Sequence, residues 1–229
     1  MLHYEADARC LRPLVPAGTE LDFFNGRALM SVVGFVFRGT RVRGVPVPWH
    51  RTFEEINLRF YVRRRSVEGW RRAVVFVKEL VPRRLIAFVA RRLYNENYVA
   101  VSMGLRQTHD SETTAGSTIA YWWRSKGSEG QLSLTTVGGS TPLVEDSEEE
   151  FLAEHYWGYT RQRDGGTLEY RVAHPRWRIV RSNWAQLQGD VRSLYGPALA
   201  EGLSGKPASA FLAEGSPVEV YVGRRLALP

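Results

Sequence analysis

The segment from Phe53 to Val62 alternates polar and apolar residues, and this alternation constrains the fold more than any other feature of the 229-residue chain. Successive side chains of a β-strand point to opposite faces, so the segment predicts a strand with two unlike faces. One face is apolar and carries Ile56, Leu58, Phe60 and Val62. The other face, here called the polar row, carries Phe53, Glu55, Asn57, Arg59 and Tyr61.

The polar row has two interpretations. In the first, Glu55, Asn57 and Arg59 face water, and only the apolar side of the strand lies in a core. In the second, the three side chains line the interior of a barrel, and the apolar residues pack outside it under helices. The residues alone leave both interpretations open, because an acid, an amide and a base are also common surface residues.

Short runs of β-branched and aromatic residues, separated by turn residues, recur along the rest of the chain. This rhythm is typical of an antiparallel barrel or sandwich. Since no repeat or linker divides the sequence, we expect a single, mostly β domain over residues 1–229. The predicted strands are 28–38, 52–63, 73–80, 98–108, 117–124, 131–137, 155–162, 167–173 and 218–224.

Three segments are predicted to be helical. Apolar residues recur at helical spacing over 82–94, behind a proline that suits a first helical position. A second helix is expected to begin at Ser147, where Glu150 completes a capping-box spacing. The third covers 190–203, and we expect Gly196-Pro197 to kink or split it.

Composition narrows the class of protein. The net charge of +7 comes almost wholly from arginines in small groups spread over the chain, which favours a solvated surface over a nucleic-acid site. Cys10 is the only cysteine and has no partner for a disulfide, so a reducing, cytoplasmic location is expected. The N-terminal residues lack the apolar core of a signal peptide, and the stretch 28–37 is shorter than the roughly 20 residues that span a bilayer. We therefore expect no membrane partner.

The sequence lacks the motifs that mark several common kinds of enzyme. The sequence has no dinucleotide-binding glycine motif, phosphate loop, zinc-protease motif or serine-hydrolase elbow. The five histidines show no metal-ligand spacing, and no cysteine pair supports them. We therefore predict no metal site and no cofactor.

Glu79 is a second acid of interest. By strict alternation it shares a strand face with Val75 and Val77, and Lys78 lies on the opposite face. A carboxylate buried there requires a partner, which an arginine such as Arg59 or Arg91 can supply. A structural ion pair and a catalytic acid are both open interpretations of Glu79.

Several segments resemble the YqjF-like family of uncharacterised bacterial proteins, over about residues 10–180. The most specific of them is Phe53-x-Glu55-x-Asn57-x-Arg59-x-Tyr61. The others are Leu11-Arg12-Pro13-Leu14-Val15-Pro16, Leu21-Asp22, Ala90-Arg91, Asn95-Glu96-Asn97-Tyr98, Met103, Glu150-Phe151-Leu152, Tyr156 and His174-Pro175-x-Trp177. That family is similar in fold to acetoacetate decarboxylase, which implies a closed, largely antiparallel β-barrel with a few covering helices and a central cavity. The resemblance favours an interior position for the polar row.

The expected function is binding of a small polar or anionic organic molecule in that cavity. The candidate catalytic residues are Glu55 and Glu79, which are available for proton transfer. The candidate ligand-binding residues are Asn57, Arg59, Tyr61, Arg91 and Tyr98. The alternative is a non-enzymatic protein that binds nucleic acid or an acidic partner through its basic surface. The sequence leaves open whether turnover follows binding and whether the chain forms a homo-oligomer.

Acetoacetate decarboxylases form a Schiff base through a lysine in a Gly-Arg-Glu-Leu-x-x-Tyr/Phe-Pro-Lys-Lys element. The most similar stretch of this chain is 90–99, and the two lysine positions fall on Tyr98 and Val99. The resemblance therefore implies that the covalent mechanism is not available here in its known form. Lys78 is not assumed to replace the missing amine, because it is predicted to face away from Glu79.

We predict that the chain forms no imine with acetoacetate at these positions, because only a nucleophilic amine can trap a carbonyl in this way. Incubation with acetoacetate and borohydride, followed by intact-mass analysis and peptide mapping, is expected to show no substrate-dependent adduct. An adduct on Lys78 would contradict the prediction, since it would mean that another strand supplies the amine.

Overall fold

The computed structural model describes residues 1–42, 45–46, 52–83, 97–108, 115–125 and 128–227. The strands in chain order are β1 (Leu2–Glu5), β2 (Glu20–Leu21), β3 (Phe23–Phe24), β4 (Arg27–Arg38), β5 (Arg41–Val42), β6 (Val45–Pro46), β7 (Thr52–Ser66), β8 (Gly69–Val81), β9 (Tyr98–Ala100), β10 (Ser102–Thr108), β11 (Ala115–Ser125), β12 (Ser128–Pro142), β13 (Trp157–Arg161), β14 (Thr167–Ala173), β15 (Arg178–Gly189), β16 (Ser209–Ala213), β17 (Glu219–Val220) and β18 (Arg224–Arg225). The helices are α1 (Ala8–Leu11), α2 (Glu148–Ala153), α3 (Val191–Tyr195) and α4 (Pro197–Leu203), with a 3-10 turn at Arg12–Leu14.

Most strands belong to one 16-stranded sheet, whose main path runs β10-β11-β12-β15-β16-β1-β4-β7-β8-β13-β14-β17. Its pairings are antiparallel except those of β8 with β9 and β8 with β13, which are parallel. The prediction of a mostly β fold is confirmed. Within the described ranges no pairing joins the two ends of the path, β10 and β17. A closed barrel therefore stays a prediction.

Strand β7 lies inside the sheet and is buried on both faces. Its apolar face packs into the larger apolar core, in which Ile56, Leu58 and Phe60 have no exposed surface. The polar row is buried as well, with Glu55 and Asn57 each only 2% exposed. The interpretation in which these side chains face water is therefore wrong for Glu55 and Asn57, whereas Arg59 is partly exposed. The interpretation in which the polar row lines the interior of a barrel stays a prediction. The apolar face of β7 shares its core with residues of other strands and of α3 and α4.

A β-bulge on β8 sets which of its side chains face the polar row. Leu58 pairs with Lys78, whereas the next residue of β7, Arg59, pairs with Phe76. Val77 is therefore an extra residue on β8. An extra residue shifts the alternation of every side chain that follows it along the strand.

The bulge corrects the grouping predicted for Glu79. Glu79 pairs with Asn57 and faces the polar row, whereas Val75 pairs with Phe60 on the apolar face. The predicted common face of Glu79 and Val75 is wrong, because strict alternation fails across a bulge. Lys78 faces away from Glu79, as predicted, and donates a hydrogen bond to a backbone carbonyl of α3.

Two of the helix predictions are confirmed. At the start of α2 the Ser147 hydroxyl accepts from the Glu150 N–H at 3.1 Å, while the Glu150 carboxylate accepts from the Asp146 N–H at 2.7 Å. The segment 190–203 is split into α3 and α4 at Gly196, whose φ of 85° does not suit a helix. The helix predicted over 82–94 lies outside the described residues from residue 84 onward.

The strand predictions hold for most of the sheet but miss several strands. The residues of β1, β15 and β16 were not expected to form strands, yet together they link β12 to β4. The strand predicted over 218–224 is replaced by the two short strands β17 and β18, both of which pair with β14.

A buried carboxylate on β14 ties the C-terminal strands to the β7–β8 hairpin. Glu169 has no exposed side-chain surface and accepts from Arg71 at 3.0 Å, Arg224 at 2.9 Å and Arg64 at 3.3 Å. It also accepts from the Tyr159 hydroxyl at 2.8 Å. Burial alone raises the pKa of Glu169, but the hydrogen bonds from Tyr159 and Arg224 and the charge of Arg71 outweigh burial and lower it.

We expect Glu169→Gln to reduce the free energy of unfolding by about 3 kcal/mol, because the variant leaves partly buried guanidinium groups without their carboxylate. Because folding lowers the pKa of Glu169, its carboxylate stabilises the fold fully at a pH above the pKa that this glutamate has in the unfolded chain. This stabilisation is lost as the pH falls through the pKa of Glu169 in the folded protein. Wild type and variant should therefore converge only at a pH below that folded-state pKa. Urea unfolding at neutral and acid pH measures both effects.

The matched control is Glu129→Gln, because Glu129 forms an exposed ion pair with Arg124. Its effect is expected to stay within about 0.5 kcal/mol. Equal losses in the two variants would contradict the role assigned to Glu169.

Candidate functional site

Four of the predicted site residues lie together in a group here called the acid cluster: Glu55, Asn57, Glu79 and Tyr98. The Asn57 side-chain amide donates to Glu55 Oε1 at 3.2 Å, and the Tyr98 hydroxyl donates to Glu55 Oε2 at 3.3 Å. Glu79 pairs with Asn57 on one side and with Tyr98 on the other. Glu55, Asn57 and Glu79 are at most 2% exposed.

Three adjacent strands position the acid cluster. β7 carries Glu55 and Asn57, the bulge turns Glu79 of β8 towards them, and β9 lies parallel to β8 and brings Tyr98 alongside. The Glu79 N–H also donates to the carbonyl of Asn97, at 3.1 Å, which fixes the approach of β9. The cluster is therefore held by strand backbone, and its geometry is more constrained than it would be on a loop.

Aromatic rings border the acid cluster on the β4 side. Phe35 pairs with Glu55, and its ring centroid lies 4.9 Å from that of Phe37. Phe37 in turn lies 4.9 Å from Phe53. Such apolar neighbours lower the local dielectric constant, which strengthens each electrostatic interaction that a bound molecule would make there.

The acid cluster has donors, acceptors and a proton-carrying group within a short distance. Both oxygens of Glu55 accept hydrogen bonds, so the orientation of its carboxylate is fixed. Within the described part of the chain, Asn57 Oδ1 is buried and has no hydrogen-bond partner. Buried polar atoms are nearly always satisfied by protein, water or ligand, so Asn57 Oδ1 can accept from a bound N–H or O–H group.

The polar row makes two separate sets of contacts. Glu55 and Asn57 belong to the acid cluster, whereas Arg59 and Tyr61 belong to a group of contacts beside α2, here called the second network. Arg59 Nη2 donates to the carbonyl of Leu152 in α2 at 3.0 Å, and its guanidinium carbon lies 5.8 Å from the Tyr61 ring centroid. The Tyr61 hydroxyl exchanges a hydrogen bond with Ser31 at 2.5 Å. The structure thus brings Glu55, Asn57, Glu79 and Tyr98 together but directs Arg59 and Tyr61 towards α2. Arg91 lies outside the described residues.

Two histidines of the second network were not singled out by the sequence. His3 contacts Ser31 through Nδ1 at 2.7 Å, and the ring of His155 lies 4.8 Å from that of Tyr61. Burial, reinforced by the positive charge of Arg59, holds the pKa of both histidines well below its ordinary value. Both rings are thus uncharged at neutral pH. Neither has a spacing motif, so only long-range packing reveals them.

An open groove lies beside the bulge of β8 and is distinct from the acid cluster. Its lining includes Val77, Asn97 and Arg161, and no residue of the acid cluster. The Asn97 amide donates to the carbonyl of Val77 at 3.2 Å across this groove. The predicted cavity around the polar row therefore stays a prediction.

The described residues show neither a metal centre nor a membrane-spanning helix. Among them, no three or more His, Cys, Asp or Glu side chains are grouped so as to hold a metal ion. None of the helices in these ranges combines the length and the apolar character needed to cross a membrane.

The arrangement of strands and helices resembles that of several solved structures. The enduracididine biosynthesis enzyme MppR, solved with HEPES buffer bound, has a TM-score of 0.61 and 13% identity, covering 99% of this chain and 84% of its own. An acetoacetate decarboxylase-like enzyme from Sphingomonas wittichii RW1 has a TM-score of 0.58 and 14% identity, covering 98% and 86%. The acetoacetate decarboxylase of Legionella pneumophila has a TM-score of 0.60 and 11% identity, covering 99% and 83%. At such low identity the likeness defines the fold alone, which is acetoacetate decarboxylase-like.

The family follows from the sequence comparison. Residues 1–217 match the family DUF2071, described as an uncharacterized conserved protein, and the chain belongs to that family. A curated relative, the uncharacterized protein YqjF of Bacillus subtilis (strain 168), is 29% identical over 174 residues, which are 76% of this chain and 69% of YqjF. The predicted resemblance to the YqjF-like family and to the acetoacetate decarboxylase fold is confirmed.

We predict that acid weakens the fold through its buried neutral histidines. Because the pKa of His155 is lowered by folding, the unfolded chain binds more protons as pH falls through about 6.5, so the free energy of unfolding falls. Each such histidine contributes up to about 1.4 kcal/mol per pH unit below that value. Replacing His155 by Phe keeps an aromatic ring against Tyr61 and Phe151 and should remove its share of the slope between pH 7 and pH 5.

The control replaces an imidazole that stacks on other rings than Tyr61 and Phe151. His174 stacks between Tyr156 and Trp177, with ring centroids 4.7 Å and 4.3 Å away, so His174→Phe keeps a comparable aromatic contact. Chemical unfolding at several pH values gives the slope for each protein. A slope for His155→Phe as steep as that of wild type would show that His155 does not carry the effect.

Proposed function

We propose that the protein binds a small polar organic molecule at the acid cluster and transfers a proton there through Glu55 or Glu79. The observation that carries this proposal is the Glu55 carboxylate, which is buried, held by Asn57 and Tyr98, and placed next to a second buried acid. Perturbed or paired carboxylates in a water-poor setting are a common basis of general acid–base catalysis.

The two acids suit different steps of a proton transfer. Glu55, oriented by two donors, is placed to accept a proton from a bound C–H, N–H or O–H group. Glu79, on the neighbouring strand, is the group that can return a proton to another atom of the same molecule. Such a division of labour between two carboxylates requires only that their environments differ.

The charges of the polar row determine how a ligand would lie. The acid cluster favours a neutral or hydrogen-donating group beside Asn57, because the Glu55 carboxylate that accepts the proton disfavours an anion there. Any anionic group of the ligand would lie towards Arg59, about 7 Å further along β7. In this orientation Arg59 binds the anionic group of the ligand, as expected from the sequence. Asn57 binds a neutral polar group of the same ligand.

The same proposal includes the domain organisation and the cellular location of the protein. We propose one domain that closes into a barrel around the acid cluster and acts on a cytoplasmic metabolite. Support for a small-molecule site comes from the shared fold, since the structure of MppR has also been solved in complex with pyruvate. The ligand of this chain is not thereby defined, because the likeness extends to the fold alone.

A nucleic-acid or acidic partner is the competing proposal, and the ion pairs disfavour it. Arg71 and Arg224 bind Glu169, and Arg72 binds Asp22 at 2.8 Å. These arginines neutralise carboxylates of the chain itself. Titration of labelled DNA and RNA at low and moderate salt tests the alternative, because phosphate binding would weaken steeply with salt.

We predict that a panel of small metabolites contains a ligand that raises the melting temperature. At a hundred times its dissociation constant a ligand adds about 2.7 kcal/mol to the free energy of unfolding. The shift should be reduced in Glu55→Gln and Tyr98→Phe, which keep the side-chain shape but change the charge or remove the hydroxyl. It should persist in the surface control Glu129→Gln. A panel without any shift, or a shift unchanged in Glu55→Gln, would contradict the proposal.

Proton transfer can be measured separately from ligand binding. A ligand found in this way and incubated in D2O should exchange a carbon-bound proton, detected by NMR, and Glu55→Gln or Glu79→Gln should slow the exchange at least tenfold. Binding without exchange would reduce the proposal to a binding function.

A further inference from the structure

The far end of the polar row holds buried hydrogen-bonding atoms that lack a partner within the described part of the chain. They are Arg59 Nε, Arg72 Nη2 and both ring nitrogens of His155. His155 is only 6% exposed. Folded proteins leave few such atoms unsatisfied, and each one left calls for a bound water, ion or ligand.

These three side chains surround the same two rings. Arg59 and His155 both contact the ring of Tyr61, at 5.8 Å from the guanidinium carbon and 4.8 Å between ring centroids. Arg72 and His155 both contact the ring of Phe151, at 4.3 Å and 6.0 Å. The two rings lie 5.3 Å apart. The three side chains therefore lie around one small region beside α2.

The contacts that these side chains already make leave positive charge in this region. Arg72 uses its Nε to bind the Asp22 carboxylate, which balances one guanidinium charge. Arg59 is bonded to the carbonyl of Leu152, which carries no net charge. Water can satisfy hydrogen bonds but does not offset the remaining charge, whereas an anion does both.

We propose that Arg59, Arg72 and His155 bind a compact oxyanion, either a carboxylate or a phosphate group. Its oxygens would accept from Arg59 Nε, from Arg72 Nη2 and from the single N–H of the neutral His155 ring, and hydrogen bonds from guanidinium to oxyanion are among the strongest in proteins. The Arg72 side chain is 37% exposed, so the region has an approach from solvent.

This oxyanion site goes beyond the acid cluster and does not depend on it. Along β7 the acid cluster ends at Asn57, whereas Arg59 follows it and Arg72 lies further along, opposite Arg63. The Glu55 carboxylate disfavours an anion at the acid cluster. A separate inorganic anion or the anionic end of a larger molecule fits the same donors. Failure of either proposal leaves the other standing, because Glu55→Gln tests the acid cluster alone.

The test is a titration of 15N-histidine-labelled protein with inorganic phosphate or with acetate, at constant ionic strength. The ring 15N signals of His155 are identified by their loss in His155→Phe. We expect at least one of the two anions to shift these signals along a saturable curve, and the preferred anion identifies the source of the oxyanion. Arg59→Gln and Arg72→Gln should each weaken binding at least tenfold.

Arg63→Gln is the matched control, because Arg63 lies on the same strand but forms an exposed pair with Glu20. Its affinity for the anion should equal that of wild type. If Arg59→Gln does not fold, the decision rests on Arg72→Gln, whose side chain is partly exposed. No shift of His155 up to about 50 mM of either anion, or an unchanged affinity in the folded arginine variants, would overturn the proposal.

Discussion

Burial of β7 on both faces is the constraint on which the rest of the structure depends. Its apolar face needs only close packing, but its other face takes a carboxylate, an amide and a guanidinium out of water, which is costly unless each is hydrogen-bonded. The neighbouring elements supply those bonds: β9 brings Tyr98 to Glu55, and α2 presents the Leu152 carbonyl to Arg59. The candidate functions arise from the same requirement, because the atoms that remain unsatisfied are the ones able to bind a ligand.

Local patterns in the sequence predicted the parts of the fold that depend on local rules. The period of two identified β7 and both its faces, and the capping box at Ser147 and the Gly196-Pro197 break placed α2, α3 and α4. The strand β15 was missed because it is rich in polar residues with exposed side chains and is held by its neighbours β12 and β16 rather than by an apolar stripe of its own. Its pairing is a property of the assembled sheet.

The sequence predicted most residues of the candidate site. It did not predict that Arg59 would lie apart from Glu55, Asn57 and Tyr98. Glu55, Asn57 and Tyr98 follow from the alternation and the family resemblance, and they do meet. Arg59 leaves them because its partner, Leu152, is 93 residues away in the chain and no spacing rule connects the two. The position of His155 could not be predicted for the same reason, since its ring packs against the distant Tyr61.

The bulge at Val77 makes strand register a determinant of site chemistry. With Phe76 opposite Arg59, an uninterrupted ladder would place Lys78 opposite Asn57 and turn Glu79 to the apolar face; the extra residue reverses that choice. The same two side chains, adjacent in sequence, thus offer either a primary amine or a carboxylic acid to one interior position. In a fold of this kind, gain or loss of a single unpaired residue can exchange nucleophilic for acid–base chemistry while every functional side chain is retained. Divergence of activity among such proteins can therefore proceed by a shift of backbone pairing as well as by substitution.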